Sequence, residues 1–219
     1  MHSIYNFVSG PLAWAAFIIF IGGSLCRLVR LFMLVHKKER FIYTYMSWKY
    51  ALRSILRWST PFATENMRRN PALTIVAFAF HICLILTPIL LLAHVTLIEE
   101  SWNVSWWSLP EGVVQIMTIV VIAGCVFFLI RRIVRKEVRY VTYASDYAIL
   151  AIVAAPFITG LFAYYQWFGY QIFLILHILA GEIMLVAIPF TRLSHMLFAP
   201  LTRGYMGSEF GGVRHARDW

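Results

Sequence analysis

The chain has 219 residues, 61% of them hydrophobic and 13% charged, with a mean hydropathy of +0.73. A soluble domain carries roughly a quarter of its residues as charges, so a soluble fold is excluded and an integral membrane protein is expected. The net charge of +9 is a question of loop placement in such a chain, not a sign of nucleic-acid binding.

Uncharged apolar runs of about 18 residues or more read as membrane spans, and five follow in order. They predict an all-α membrane protein, one domain over 1–219, built as a five-transmembrane-helix bundle. The opening "MHSIYNFVSGPLAW" has no basic leader and no small-x-small cleavage site after its apolar run. The first segment, about 11–29, is therefore expected to be a retained span. Arg27 and Arg30 at its end are placed to snorkel to the headgroups. The segment 36–70 holds Lys37, Lys38, Arg40, Lys49, Arg53, Arg57, Arg68 and Arg69. Within it Phe41, Tyr45, Trp48, Leu52, Ile55 and Leu56 recur at helical spacing. That predicts a basic amphipathic helix lying on the inner leaflet or docking a cytoplasmic subunit.

The second span, about 72–98, contains no Asp, Glu, Lys or Arg. The loop 99–111, "EESWNVSWWSLPE", is acidic and rich in Trp. A third span is expected at about 112–130. The basic stretch 131–139 follows, with Arg131, Arg132, Arg135, Lys136 and Arg139. The uncharged run 147–181 is too long for one span at ~1.5 Å per residue. Gly169 and the aromatics of "YYQWFGYQ" (164–171) divide it into spans at about 147–165 and 170–198. The tail 199–219, with Arg203, Arg214 and Arg217, reads as flexible by itself. Basic loops alternate with acidic or neutral ones, so the N-terminus is expected outside and the C-terminus in the cytoplasm. Cys26, Cys83 and Cys125 form no CxxC pair and read as small apolar fillers.

Four histidines lie within spans: His81 and His94 in the second, His177 and His195 in the fifth. Burying imidazoles in a bilayer is costly, which makes them functional candidates. The second and fifth spans run in opposite directions, so His81 shares a depth with His195, and His94 with His177. Neutral imidazole suits iron. Two imidazoles per layer predict two b haems with both axial positions filled, one pair being His81/His195 and the other His94/His177. On one ideal helix His177 and His195 are five turns apart and share a face. His81 and His94 are ~140° apart in azimuth, and Pro88 between them is expected to distort the helix and aim His94. A zinc or copper site would need further ligands one turn away, and none stands there. Glu182, the lone acid within a span, reads as a bundle contact, a proton carrier or a partner to a ligand imidazole.

"LHILAGEIMLVAIPFTRLSH" (176–195) closely resembles the last span of the gamma-subunit family of respiratory nitrate reductase. The shared elements are His177, Gly181, "PFTRL" (189–193) and His195. The resemblance extends to "FHICLI" (80–85) and to "RRIVRKEVRYVTYASDYAIL" (131–150). It implies a di-haem cytochrome b exchanging electrons between membrane quinone, menaquinone in this reading, and a cytoplasmic iron–sulfur subunit. His81, His177 and His195 match the family's ligands. Its nitrate reductase members place the remaining ligand three residues before His94, where Leu91 stands here. That longer spacing is similar to the branch found in membrane complexes of sulfate respiration. This branch implies a heterodisulfide-reductase-like rather than a nitrate-reductase-beta-like partner, and a periplasmic multihaem cytochrome c. A bacterial or archaeal cytoplasmic membrane is the implied location.

On this reading Arg192 stands three residues before His195 and pairs with a haem propionate, or else snorkels to the headgroups. Trp102, Trp106 and Trp107 wall a quinone site, and Glu99, Glu100 or Glu111 accepts its protons. The alternatives are a true nitrate reductase gamma subunit, and a transporter or proton channel with a histidine relay. A transporter predicts inverted repeats, which the sequence does not display.

Overall fold

The structure is a computed structural model and describes residues 2–216; Arg217, counted above with the basic tail, lies outside them. The longer helices in chain order are α1 (His2–Lys38), α2 (Trp48–Trp58), α3 (Pro71–Leu90) and α4 (Leu92–Trp102). They are followed by α5 (Glu111–Val134), α6 (Ala144–Tyr164), α7 (Tyr170–Phe190) and α8 (His195–Met206). Among the described residues, α1, α3, α5, α6 and α7 are long and apolar enough to cross a membrane. With no water in the hydrocarbon to satisfy the backbone, each span must carry its own hydrogen bonds, and the helix does so.

The termini of the helices follow from local chemistry. Glu111 opens α5 and Arg131 and Arg132 close it, charges that suit the two ends of its dipole. Before α6, the Tyr143 N–H donates to the Asp146 carboxylate at 2.8 Å, while the Asp146 N–H donates to the Tyr143 carbonyl at 2.9 Å. This reciprocal cap lets Asp146 sit buried. Gly169, with φ of +107°, makes the turn between α6 and α7.

Four segments differ from the sequence-based expectation. Helix α1 runs on from Arg30 to Lys38, far beyond the expected 11–29. The expected second span stops at Leu90 and restarts at Leu92, with Leu91 extended (φ −71°, ψ 124°). The fifth stops at Phe190. There Thr191 is extended (φ −121°, ψ −173°), and its hydroxyl caps the next turn by accepting from the Leu193 N–H at 3.2 Å. His177 and His195 therefore do not share one continuous helix, and the five-turn argument does not place His195. The tail, finally, is not loose: α8 continues as a π-type turn, Gly207–Val213.

The chain divides into two compact units. The first combines Ile75–Gly181 with the residues up to Val8. Its core includes Phe80, Val95, Val114, Val121, Cys125, Val153 and Phe157, with Val121 wholly inaccessible. The Phe80 ring fills the space left by Gly124 and meets Phe128 edge-on at 5.2 Å.

The second unit combines Ser9–Thr74 with Glu182–Trp219. Here the small face of α2, Ala51 and Ser54, is covered by the tail. A Cβ at Gly207 would stand 2.4 Å from the Tyr50 carbonyl oxygen and 2.6 Å from Ser54 Cβ. Only glycine permits that approach. Ser208 Oγ accepts from the Ser47 N–H at 3.1 Å, and the Arg203 guanidinium lies 4.0 Å over the Trp58 ring. These contacts order a segment whose glycine-rich sequence reads as flexible. The apolar residues of the opposite stripe of α2, Trp48, Leu52 and Leu56, remain exposed.

Candidate functional site

Within the first unit, His94 and His177 face each other. Their ring centroids are 5.9 Å apart and the ring planes 21° from parallel. The His177 Nδ1 lies 2.8 Å from the Pro156 carbonyl oxygen, and the His94 Nδ1 2.9 Å from that of Pro88. A carbonyl can only accept, so each Nδ1 carries the proton and each Nε2 the lone pair. This is the tautomer a metal-ligating imidazole needs, with the outer hydrogen bond fixing the ring and raising its basicity.

Two local devices produce the arrangement. The first is the interruption at Leu91. A helix running through it would occupy the carbonyls of Pro88, Ile89 and Leu90 with amides four residues on. Instead Pro88 O accepts from His94 Nδ1, Ile89 O from Trp106 Nε1 at 2.7 Å, and Leu90 O from the Leu109 N–H at 2.9 Å. The helix runs through Pro88 and breaks at Leu91, three residues later. The Pro88 carbonyl receives the imidazole, and a one-residue extended link turns His94 out of the α3 register. The second device is Gly160 on α6. A Cβ there would lie 2.9 Å from both Cε1 and Nδ1 of His177, so a bare Cα is needed for the ring to reach Pro156.

Can such a pair share an iron? With a metal–nitrogen bond of ~2.0 Å on each side and ~1.2 Å from nitrogen to ring centre, two imidazoles on one metal stand about 6.4 Å apart. The observed 5.9 Å is within about 0.5 Å of that separation. A Cβ on Gly181, one turn beyond His177, would meet nothing within 4 Å. That glycine therefore leaves room beside the ligand, as a flat macrocycle requires. Among the described residues, no group of three or more His, Cys, Asp or Glu side chains is placed to hold a metal ion. Histidines in pairs are what this chain offers.

His81 lies mid-way along α3, its Nδ1 2.7 Å from the Ala77 carbonyl oxygen, beside the Phe80 ring. His195 opens α8 in the second unit, its Nδ1 2.8 Å from the Arg192 carbonyl oxygen. All four histidines therefore hold the same tautomer by the same kind of bond. Arg192 is exposed on the 3-10 turn before His195, and its backbone orients that ring. Glu182 is buried, and neither carboxylate oxygen has a hydrogen-bond partner among the described residues.

In the 99–111 loop region, Glu111 accepts from the Tyr164 hydroxyl at 3.0 Å, while Trp102 and Trp107 are exposed. Trp106 does not simply form a wall, since its indole is spent on Ile89. Sequence reasoning missed the parts played by Pro156, Gly160, Trp106 and Leu109. The Pro156/Gly160 pair, four residues apart in α6, was the available signal.

Five helices long and apolar enough to cross a membrane, with two imidazoles close together in the first unit, define an integral membrane protein. The chain belongs to the nitrate reductase gamma subunit family, whose profile matches residues 7–171. These are membrane cytochrome b electron-transfer subunits that bind haem b within multisubunit complexes. The matched residues take in His81 and His94 and stop short of His177 and His195. A protein of the sulfate-reducing bacterium Nitratidesulfovibrio vulgaris (strain Hildenborough) is 36% identical over 215 residues, 94% of this chain and 93% of its own length.

Proposed function

We propose that this chain passes electrons between menaquinone or menaquinol and a cytoplasmic iron–sulfur subunit, using two b haems each held by two histidines. The observation that carries the reading is the His94/His177 pair, 5.9 Å apart with both Nδ1 atoms committed to proline carbonyls. His94 and His177 hold the haem on the outer side; His81 and His195 hold the inner one, a pairing that rests on their places in the sequence. Bound there, the haems supply one-electron carriers with no open iron position, suited to electron passage and not to oxygen binding.

The residues do the rest. The carbonyl–Nδ1 bonds keep the proton on Nδ1 and fix the orientation of each ring, leaving Nε2 as the donor atom that would face a metal. Pro88 suits this task because the break at Leu91 frees its carbonyl from the helical ladder. Arg192 answers a haem propionate on the inner side. Glu111, held by Tyr164, is the proton acceptor favoured at the outer loop. The basic loops support an N-terminus outside and a C-terminus inside, with the partner subunit on the side of α2 and α8.

The position of His94 three residues beyond Leu91, together with the relative in a sulfate reducer, favours a sulfate-respiration complex. Such a complex has a heterodisulfide-reductase-like partner and a periplasmic cytochrome c. The test is spectroscopic. The purified protein should show a reduced-minus-oxidised b-type spectrum with two redox components. His94→Ala and His177→Ala should each remove the same one. A colourless, stably folded preparation refutes the proposal.

A further inference from the structure

We infer that Trp106 is a positioning residue for His94, acting through the interruption at Leu91; the consequence for a haem rests on the function proposed above. Three carbonyls lose their helical partners at this interruption, and each regains one: the His94 imidazole, the Trp106 indole and the Leu109 amide. The first belongs to the ligand itself and the third to the backbone. Only the second is a side chain brought in from outside the helix to keep the link extended.

The loop is shaped for this. Asn103 adopts a left-handed conformation (φ 54°), ending α4 and turning the chain back, and Pro110 leads into α5. Between them the loop returns to the end of α3 and delivers Trp106 and Leu109 to adjacent carbonyls.

Without the indole N–H, the Ile89 carbonyl would be left unpaired in an apolar setting, where an unmet backbone group is costly. The nearest remedy is the amide of Ala93, four residues on, which requires Leu91 to become helical. Re-forming the helix would offer Pro88 O to the Leu92 amide and turn His94 by on the order of 100°. The ligand would then lose both its outer hydrogen bond and its aim. Trp106 touches neither imidazole in this scheme; it holds the backbone that holds one of them.

The test uses the full-length protein in its native complex and compares Trp106→Phe, Trp106→His and Val104→Ala. Trp106→Phe keeps an aromatic ring but removes the donor; Trp106→His restores a ring N–H; Val104 is an exposed residue of the same loop. Redox titration and low-spin electron paramagnetic resonance are read on both haem components. Trp106→Phe should shift the potential and signal of the component that His94→Ala abolishes, leaving the other unchanged. Trp106→His should recover part of the shift, and Val104→Ala should match the wild type. A wild-type signature in Trp106→Phe, where His94→Ala still abolishes that component, overturns the inference alone. Absence of any b-type component in the wild type overturns the haem reading instead.

Amide hydrogen exchange needs no haem and decides the structural half. In Trp106→Phe the Leu109 amide should lose protection about tenfold, while those of Leu92 and Ala93 gain it. Unchanged exchange at all three positions overturns the inference as well.

Discussion

Gly160→Ala is the sharpest test of how His177 is held. The added carbon would lie 2.9 Å from the ring's Cε1 and Nδ1, against ~3.5–4.0 Å for ordinary carbon contact. The imidazole must therefore retreat by roughly 0.5–1 Å. Its hydrogen bond to Pro156, now 2.8 Å, would stretch past the ~3.2 Å limit of a good N–H···O bond. Losing an outer partner of a metal-ligating histidine typically costs ~10–100-fold in metal affinity, or about 1.4–2.8 kcal/mol at ~1.4 kcal/mol per tenfold. We expect Gly160→Ala to lose haem selectively from the outer site, or to retain it with an altered low-spin signal. Haem stoichiometry by the pyridine haemochrome assay, combined with redox titration, reads both results. Full haem content with both potentials and signals unchanged would refute the reasoning, because the ring would then have an alternative seat the structure does not show.

Gly181→Ala should be silent for packing, since its Cβ meets nothing within 4 Å; haem loss without a drop in thermal stability would show that the macrocycle uses that space. His81→Ala and His195→Ala should each abolish the component that survives in His94→Ala, as resolved by redox titration. In the second unit, Gly207→Ala would drive a methyl into the Tyr50 carbonyl and should cost about 1–3 kcal/mol, as overpacking does, measured as a lower unfolding midpoint in detergent. The Tyr205 hydroxyl is held above the usual tyrosine range, chiefly by its hydrogen bond to Glu209 and also by that to Tyr45. Its protonated form is therefore favoured in the fold, and that contribution is present below ~10 and lost as pH rises beyond it. The midpoint of the wild type should fall more steeply above that pH than that of Tyr205→Phe.

Much of this protein is written in its sequence. Long uncharged runs must become helices in hydrocarbon, because no other local structure satisfies their backbone. The five spans follow from that, and His81 and His177 lie within them, while His94 and His195 stand just beyond the ends of theirs. The motif "PFTRL" and His195 pointed to the family to which the chain belongs. Periodicity carries no information about where a helix is interrupted by bonds from elsewhere in the chain. Leu91 has ordinary helical character, and its extended conformation depends on acceptors claimed by His94, Trp106 and Leu109. The same holds at Thr191, where an ideal-helix register led toward His195 by a path the backbone does not take.

The tail teaches the converse. Gly204, Gly207 and Gly212 read as flexibility in isolation, yet against Ala51, Tyr50 and Ser54 they are what allows close approach. Sequence by itself determined which residues belong in the membrane and which side chains can bind a metal, since both are properties of single residues and short runs. Tertiary structure alone decided that His94 turns to face His177 and that Gly160 makes space for the ring. Those outcomes depend on distances between segments that neither local propensity nor hydrophobic pattern encodes.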